Sequence, residues 1–108
     1  MIIQQATYFR AQHVTGPRCV LVSIRFGKTP ERGPYITRLV KNETESAILF
    51  DLENHIKEIL SGIEAANIEC GGTLQVEEIQ VAPDDDPKKG QAEYAAYKIA
   101  CGVLKHEI

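Results

Sequence analysis

No apolar run in this 108-residue chain approaches the ~18 residues that a membrane-spanning helix needs. The opening stretch MIIQQATYFRAQ has neither a basic n-region nor a long apolar h-region, so no signal peptide is expected. Cys19, Cys70 and Cys101 are odd in number, widely spaced and form no C-x-x-C. That pattern argues against a disulfide framework and for free thiols in a cytoplasmic setting. His13, His55 and His106 lack the H-x-x-x-H spacing of a helical metal site. Neither a G-x-S-x-G elbow nor a phosphate-binding glycine loop occurs. Asp84, Asp85 and Asp86 are consecutive, whereas a calcium loop alternates its ligands and closes on a distal Glu. No cofactor and no metal are expected, and the reading leans away from an enzyme. Internal repeats and low-complexity segments are absent too.

What is present is ordinary in amount, with 44% hydrophobic and 25% charged residues, enough for one domain with its own core. The charge is unevenly distributed. Residues 1 to 41 carry Arg10, Arg18, Arg25, Lys28, Arg32, Arg38 and Lys41 against the single acid Glu31, while the remainder is strongly acidic. A basic face for a polyanion, or neutralisation of one half by the other, would both follow from this.

Periodicity sets the element order. Ile2 to Arg10 reads as a first strand, followed by a turn at Gly16-Pro17. Cys19 to Phe26 alternates cleanly: Val20, Val22, Ile24 and Phe26 point one way, and Cys19, Leu21, Ser23 and Arg25 the other. The first set is expected to face helices, and the two strands to pair as a hairpin. Residues 27 to 46 read as a long basic loop around a possible short strand, YITRLV. Ala47 to Phe50 reads as another short strand. Asp51 then stands at an N-cap, and Leu52, Ile56, Ile59, Leu60, Ile63 and Ala66 form one helical stripe closed near Asn67 and Gly71-Gly72.

Thr73 to Val81 is a strand whose apolar phase changes. Leu74 and Val76 share one face, Ile79 and Val81 the other, and the switch falls at Glu77-Glu78. A β-bulge would restore one buried face; the other solution is a covering second subunit. The last helix presents Ala92, Ala95, Ala96, Ile99, Ala100, Val103 and Leu104. It begins either at Pro87 with Asp86 as cap or near Gln91 after Gly90. The expected architecture is an α+β two-layer sandwich: about four mostly antiparallel strands with two helices on one face.

GIEAA (Gly62 to Ala66), VEEIQV (Val76 to Val81), the acidic turn and AYKIA (Ala96 to Ala100) together resemble the fourth domain of translation elongation factor G. The likeness covers the second half of the chain. It implies a left-handed β-α-β unit on a sheet and an RNA- or translation-related partner. Where the family's turn ends in a His-bearing tip, this chain has Pro87-Lys88-Lys89.

The resulting functional reading is a small interaction module, homo-oligomeric or bound to RNA or protein. Lys28, Arg32, Arg38, Lys41, Lys88 and Lys89 are the partner-binding candidates. A small-molecule site between helices or at a subunit interface is the alternative, with Tyr94, Tyr97, Glu77 and Leu21 as its lining. An inhibitor that binds one protein target through an acidic face is a third reading. Leu21, the phase switch between Val76 and Val81, and Tyr94 are the grounds for expecting a homo-oligomer.

Overall fold

Val20, Val22 and Ile24 have no exposed surface in the computed structural model of the protein, as their alternation predicts. The structure describes residues 8–15, 18–39, 50–83 and 85–107. Four strands, β1 (Tyr8–Thr15), β2 (Arg18–Phe26), β3 (Tyr35–Arg38) and β4 (Val76–Val81), form one sheet in the order β1-β2-β4-β3. β1/β2 and β2/β4 are antiparallel, and β3/β4 is parallel. Two helices, α1 (Leu52–Cys70) and α2 (Gln91–Leu104), complete a two-layer α+β sandwich. The connection from β3 to its parallel neighbour β4 contains α1, as a parallel pair requires.

The described part of the first strand extends beyond Arg10, where composition predicts its end. Pairing of Tyr8 with Arg25 through Thr15 with Arg18 carries β1 across His13 to Thr15. Ladder pairing overrides local preference here, because each added residue gains a partner on β2. Residues 1–7, and residues 47–49 of the short strand expected at Ala47 to Phe50, lie outside the described residues. Residues 27–39 are tied down. Thr29 Oγ1 donates to the Val76 carbonyl at 2.8 Å, Gly27 N–H donates to that of Gln75 at 3.0 Å, and YITR is a true strand.

The phase change in β4 is resolved within one chain. Arg25 pairs with Glu78 while Phe26 pairs with Val76, so Glu77 is an extra residue in a bulge. Val76, Ile79 and Val81 are consequently all buried on the helix side. A second subunit is not needed to explain that pattern, and one of the three grounds for a dimer falls away.

α1 is capped as read: the Asp51 carboxylate accepts from Asn54 N–H at 3.1 Å. Gly71, in the left-handed conformation at φ 68°, ends it by donating to the Asn67 carbonyl. The Asn67 side chain then grips both backbone groups of Leu74, at 2.9 and 3.0 Å. Leu60, expected in the buried stripe, is exposed, and His55 takes a buried place beside Ile59. α2 begins at Gln91. Asp86 does not cap it, because Asp86 bridges to Cys19 of β2 through two backbone hydrogen bonds of 3.2 Å. The Arg18 guanidinium holds the same turn through the Asp86 and Pro87 carbonyls. Ala92, Ala95, Ala96 and Ala100 let α2 lie close to β1, β2 and α1. Glu58 meets Gly90, Ser61 meets Glu93, and Cys70 meets Cys101, so the two helices run parallel. Both N-termini therefore open at the same end of the molecule.

Candidate functional site

The strand pairing sets the described bases of the first half in the sheet layer, where Glu77 and Glu78 of β4 meet them. Arg10, Arg18, Arg25, Lys28, Arg32 and Arg38 stand on β1 to β3 and their loops, accompanied by Glu31. Glu53, Glu58, Glu64, Glu69 and Glu93 stand on the helices, against Lys57 and Lys98.

On the sheet face away from the helices, alternation aligns Tyr8 and Arg10 of β1 with Ser23 and Arg25 of β2 and with Glu78 and Gln80 of β4. These side chains engage one another. Arg10 donates to Ser23 Oγ at 3.1 Å and to Gln80 Oε1 at 2.8 Å. Arg25 pairs with Glu77 at 2.8 Å and Glu78 at 3.2 Å. Tyr8 donates its hydroxyl to Glu78, which pushes the phenol above its ordinary range. Ser23 is wholly buried under this network although it lies on the uncovered face.

The free bases lie elsewhere. Lys28 and Arg32 occupy the loop entering β3, and Arg38 ends that strand opposite Val81. Among the described residues none of the three has a carboxylate within ion-pair distance. Tyr35, 58% exposed, starts the same edge strand. Lys41 lies outside the described residues. Lys88 and Lys89 follow the turn that joins the Cys19 end of β2, whereas Lys28 follows its Phe26 end. Lys28 and Arg32 thus belong to the β2–β3 connection and Arg38 to β3, whereas Lys88 and Lys89 precede α2.

Tyr94, Tyr97, Glu77 and Leu21 do not come together. Tyr94 stacks edge-on to His13 of β1, with ring centroids 5.5 Å apart. Tyr97 donates to Glu69 of α1, and this bond raises its phenol pKa. Glu77 sits in the bulge against Arg25, and Leu21 lies on the uncovered sheet face, donating its backbone N–H to Asp85 at 2.8 Å. The four side chains thus stand on α2, on β2 and in the β4 bulge, each with a different partner.

The concave feature that the sequence reading missed is a cleft of about 230 Å³ where the two helix N-termini open, lined by Phe50, Asp51, Asn54, His55, Glu58, Pro87, Lys88 and Lys89. His55 is 3% exposed and neither ring nitrogen has a hydrogen-bond partner among the described residues. The Phe50 ring meets the imidazole edge-on, centroids 5.1 Å apart. The available signal was position: His55 falls three residues after Leu52 and four before Ile59, inside the buried stripe.

Burial lowers the His55 pKa, and the Glu58 carboxylate opposes that shift only in part. In the unfolded chain a histidine titrates near ~6.5. As pH falls, the unfolded chain therefore takes up its proton first. Stability is complete above about pH 6.5 and declines as pH falls towards the lower folded value. Urea midpoints measured between pH 7.5 and 5 are expected to drop for the parent protein and to drop less for His55→Leu. Equal slopes for the two would contradict a desolvated imidazole.

Among the described residues, no three His, Cys, Asp or Glu side chains gather to hold a metal, and no helix is long and apolar enough to cross a membrane. Comparison with family models, with curated proteins and with solved structures finds no match.

Proposed function

We propose that this chain is a non-enzymatic module that binds single-stranded RNA along its β3 edge. The observation carrying this reading is exposed Tyr35 on the edge strand β3, preceded in the chain by Lys28 and Arg32 and followed by Arg38, none of which has a carboxylate within ion-pair distance among the described residues. A polar backbone tracked by cations and a base stacked on an aromatic ring is how single strands are bound without sequence readout. Arg10, Arg18 and Arg25 contribute less, because protein acceptors already occupy them. The resemblance of Gly62 to Ala66 and Ala96 to Ala100 to an elongation-factor domain supports an RNA partner over a purely proteinaceous one.

The test is fluorescence anisotropy with a labelled oligouridine of about ten nucleotides, a length within the usual single-strand site range. Affinity is expected to fall with salt, with a slope of about −0.7 per phosphate contact. Lys28→Ala with Arg32→Ala should flatten the slope by about 1.4. Tyr35→Ala should weaken binding about fivefold or more, the lower end of a base-aromatic stack. Absence of binding at low salt, or binding indifferent to all three substitutions, sinks the reading.

A further inference from the structure

The His55 cleft is separate from the β3 edge in both residues and chemistry. A buried polar group without a partner is costly, and native structures hold few of them. Here both nitrogens of one imidazole are in that condition, and the ring lines an open cleft. Its surroundings combine two carboxylates, Asp51 and Glu58, with the ammonium groups of Lys88 and Lys89. Both oxygens of Glu58 are already acceptors, one for Gly90 N–H at 3.0 Å and one for Asn54 Nδ2 at 2.8 Å. One oxygen of Asp51 caps α1. By contrast, the ammonium groups of Lys88 and Lys89 have no carboxylate partner among the described residues. The first turns of two parallel helices add partial positive charge at the same end. The volume, about 230 Å³, lies just below the ~300 Å³ at which small-molecule pockets begin. Phe50 and Pro87 supply an apolar wall.

We infer that this cleft binds a small oxyanion of the phosphate class, held by the Lys88 and Lys89 ammonium groups with the buried His55 imidazole in its wall. The ionisable groups around the imidazole are Asp51 and Glu58 from α1 and Lys88 and Lys89 from the segment before α2. An anion beside the ring favours the imidazolium, so binding takes up a proton at His55.

Inorganic phosphate and phenyl phosphate are titrated into the full chain at constant ionic strength, following the His55 ring resonances by NMR. A saturable shift is expected. Tighter binding of phenyl phosphate identifies a phosphate ester as the natural class, and equal binding identifies free phosphate. Lys88→Ala with Lys89→Ala, both at exposed positions, should weaken either ligand at least tenfold. Sulfate, whose charge is constant over this range, should bind more tightly at pH 6 than at pH 8, and His55→Gln should remove that dependence. Sodium chloride producing the same shift, no saturation with either phosphate, or full binding by the double lysine variant overturns the inference. Tyr35→Ala should leave phosphate binding unchanged, so failure here and failure of RNA binding remain distinguishable.

Discussion

Replacing Gly62 with alanine is expected to destabilise the protein by about 2 kcal/mol, although the substitution improves helix propensity by about 1 kcal/mol. The reason is the crossing of α1 and α2. A Cβ at Gly62 would stand 2.3 Å from the Glu93 carbonyl oxygen and 3.0 Å from the Tyr97 backbone nitrogen. Both are main-chain atoms, so relief requires one helix to move off the other rather than a side chain to rotate. The alanines of α2, packed to main-chain distance on α1 and the sheet, leave little room for that movement. Glu64→Ala, on the exposed side of α1, should change stability by less than about 0.5 kcal/mol. Urea unfolding of the three proteins checks the pair, and a Gly62→Ala protein as stable as its parent would contradict the close crossing.

Mild oxidation with diamide is expected to join Cys70 to Cys101 and raise the unfolding midpoint by about 10 °C. The two Sγ atoms are 3.7 Å apart, and the cysteines are separated by 31 positions in the chain. Side-chain rotation has to close that gap to the ~2.05 Å of a disulfide. Cross-linking the C-terminal end of α1 to α2 closes a long loop and so restricts the unfolded chain most. Burial, reinforced by the neighbouring Cys101 thiol, raises the Cys70 pKa, so the reaction should quicken as the solution becomes alkaline. Thiol titration should fall from three groups to one, leaving Cys19 free, with the mass of a single chain. Three thiols persisting in the native protein, or a cross-link through Cys19, would show that the helices do not present the pair as described.

The proximity of those cysteines illustrates a limit of sequence reading. Cys70 and Cys101 look like unrelated thiols, one at a helix end and one in mid-helix. Only the parallel packing of α1 on α2 brings them together. The same packing places both helix N-termini, Lys88 and Lys89 around His55. Periodicity marks a position as buried, but it does not tell whether a buried imidazole finds a partner. Tyr94 and Tyr97 are parted for the converse reason. They are neighbours on α2, yet one faces His13 of β1 and the other Glu69 of α1.

The stretch from Thr73 to Lys105, with its strand and helix, is legible in outline because local rules govern it. The phase change at Glu77-Glu78 is compatible with a bulge or a covering subunit, and the bulge at Glu77 accounts for it within one chain. Asp51 and Gly71 mark α1 because orphan backbone groups need those partners wherever a helix ends. Alternation alone determined that Val20, Val22 and Ile24 face the core, since a one-residue slip would expose them all. Tertiary structure decided the rest: the parallel seating of β3 beside β4, the use of Asp86 as a tie to Cys19 instead of a cap, and the cleft at His55. Those features depend on which distant segments meet, and no spacing within a single segment encodes that meeting.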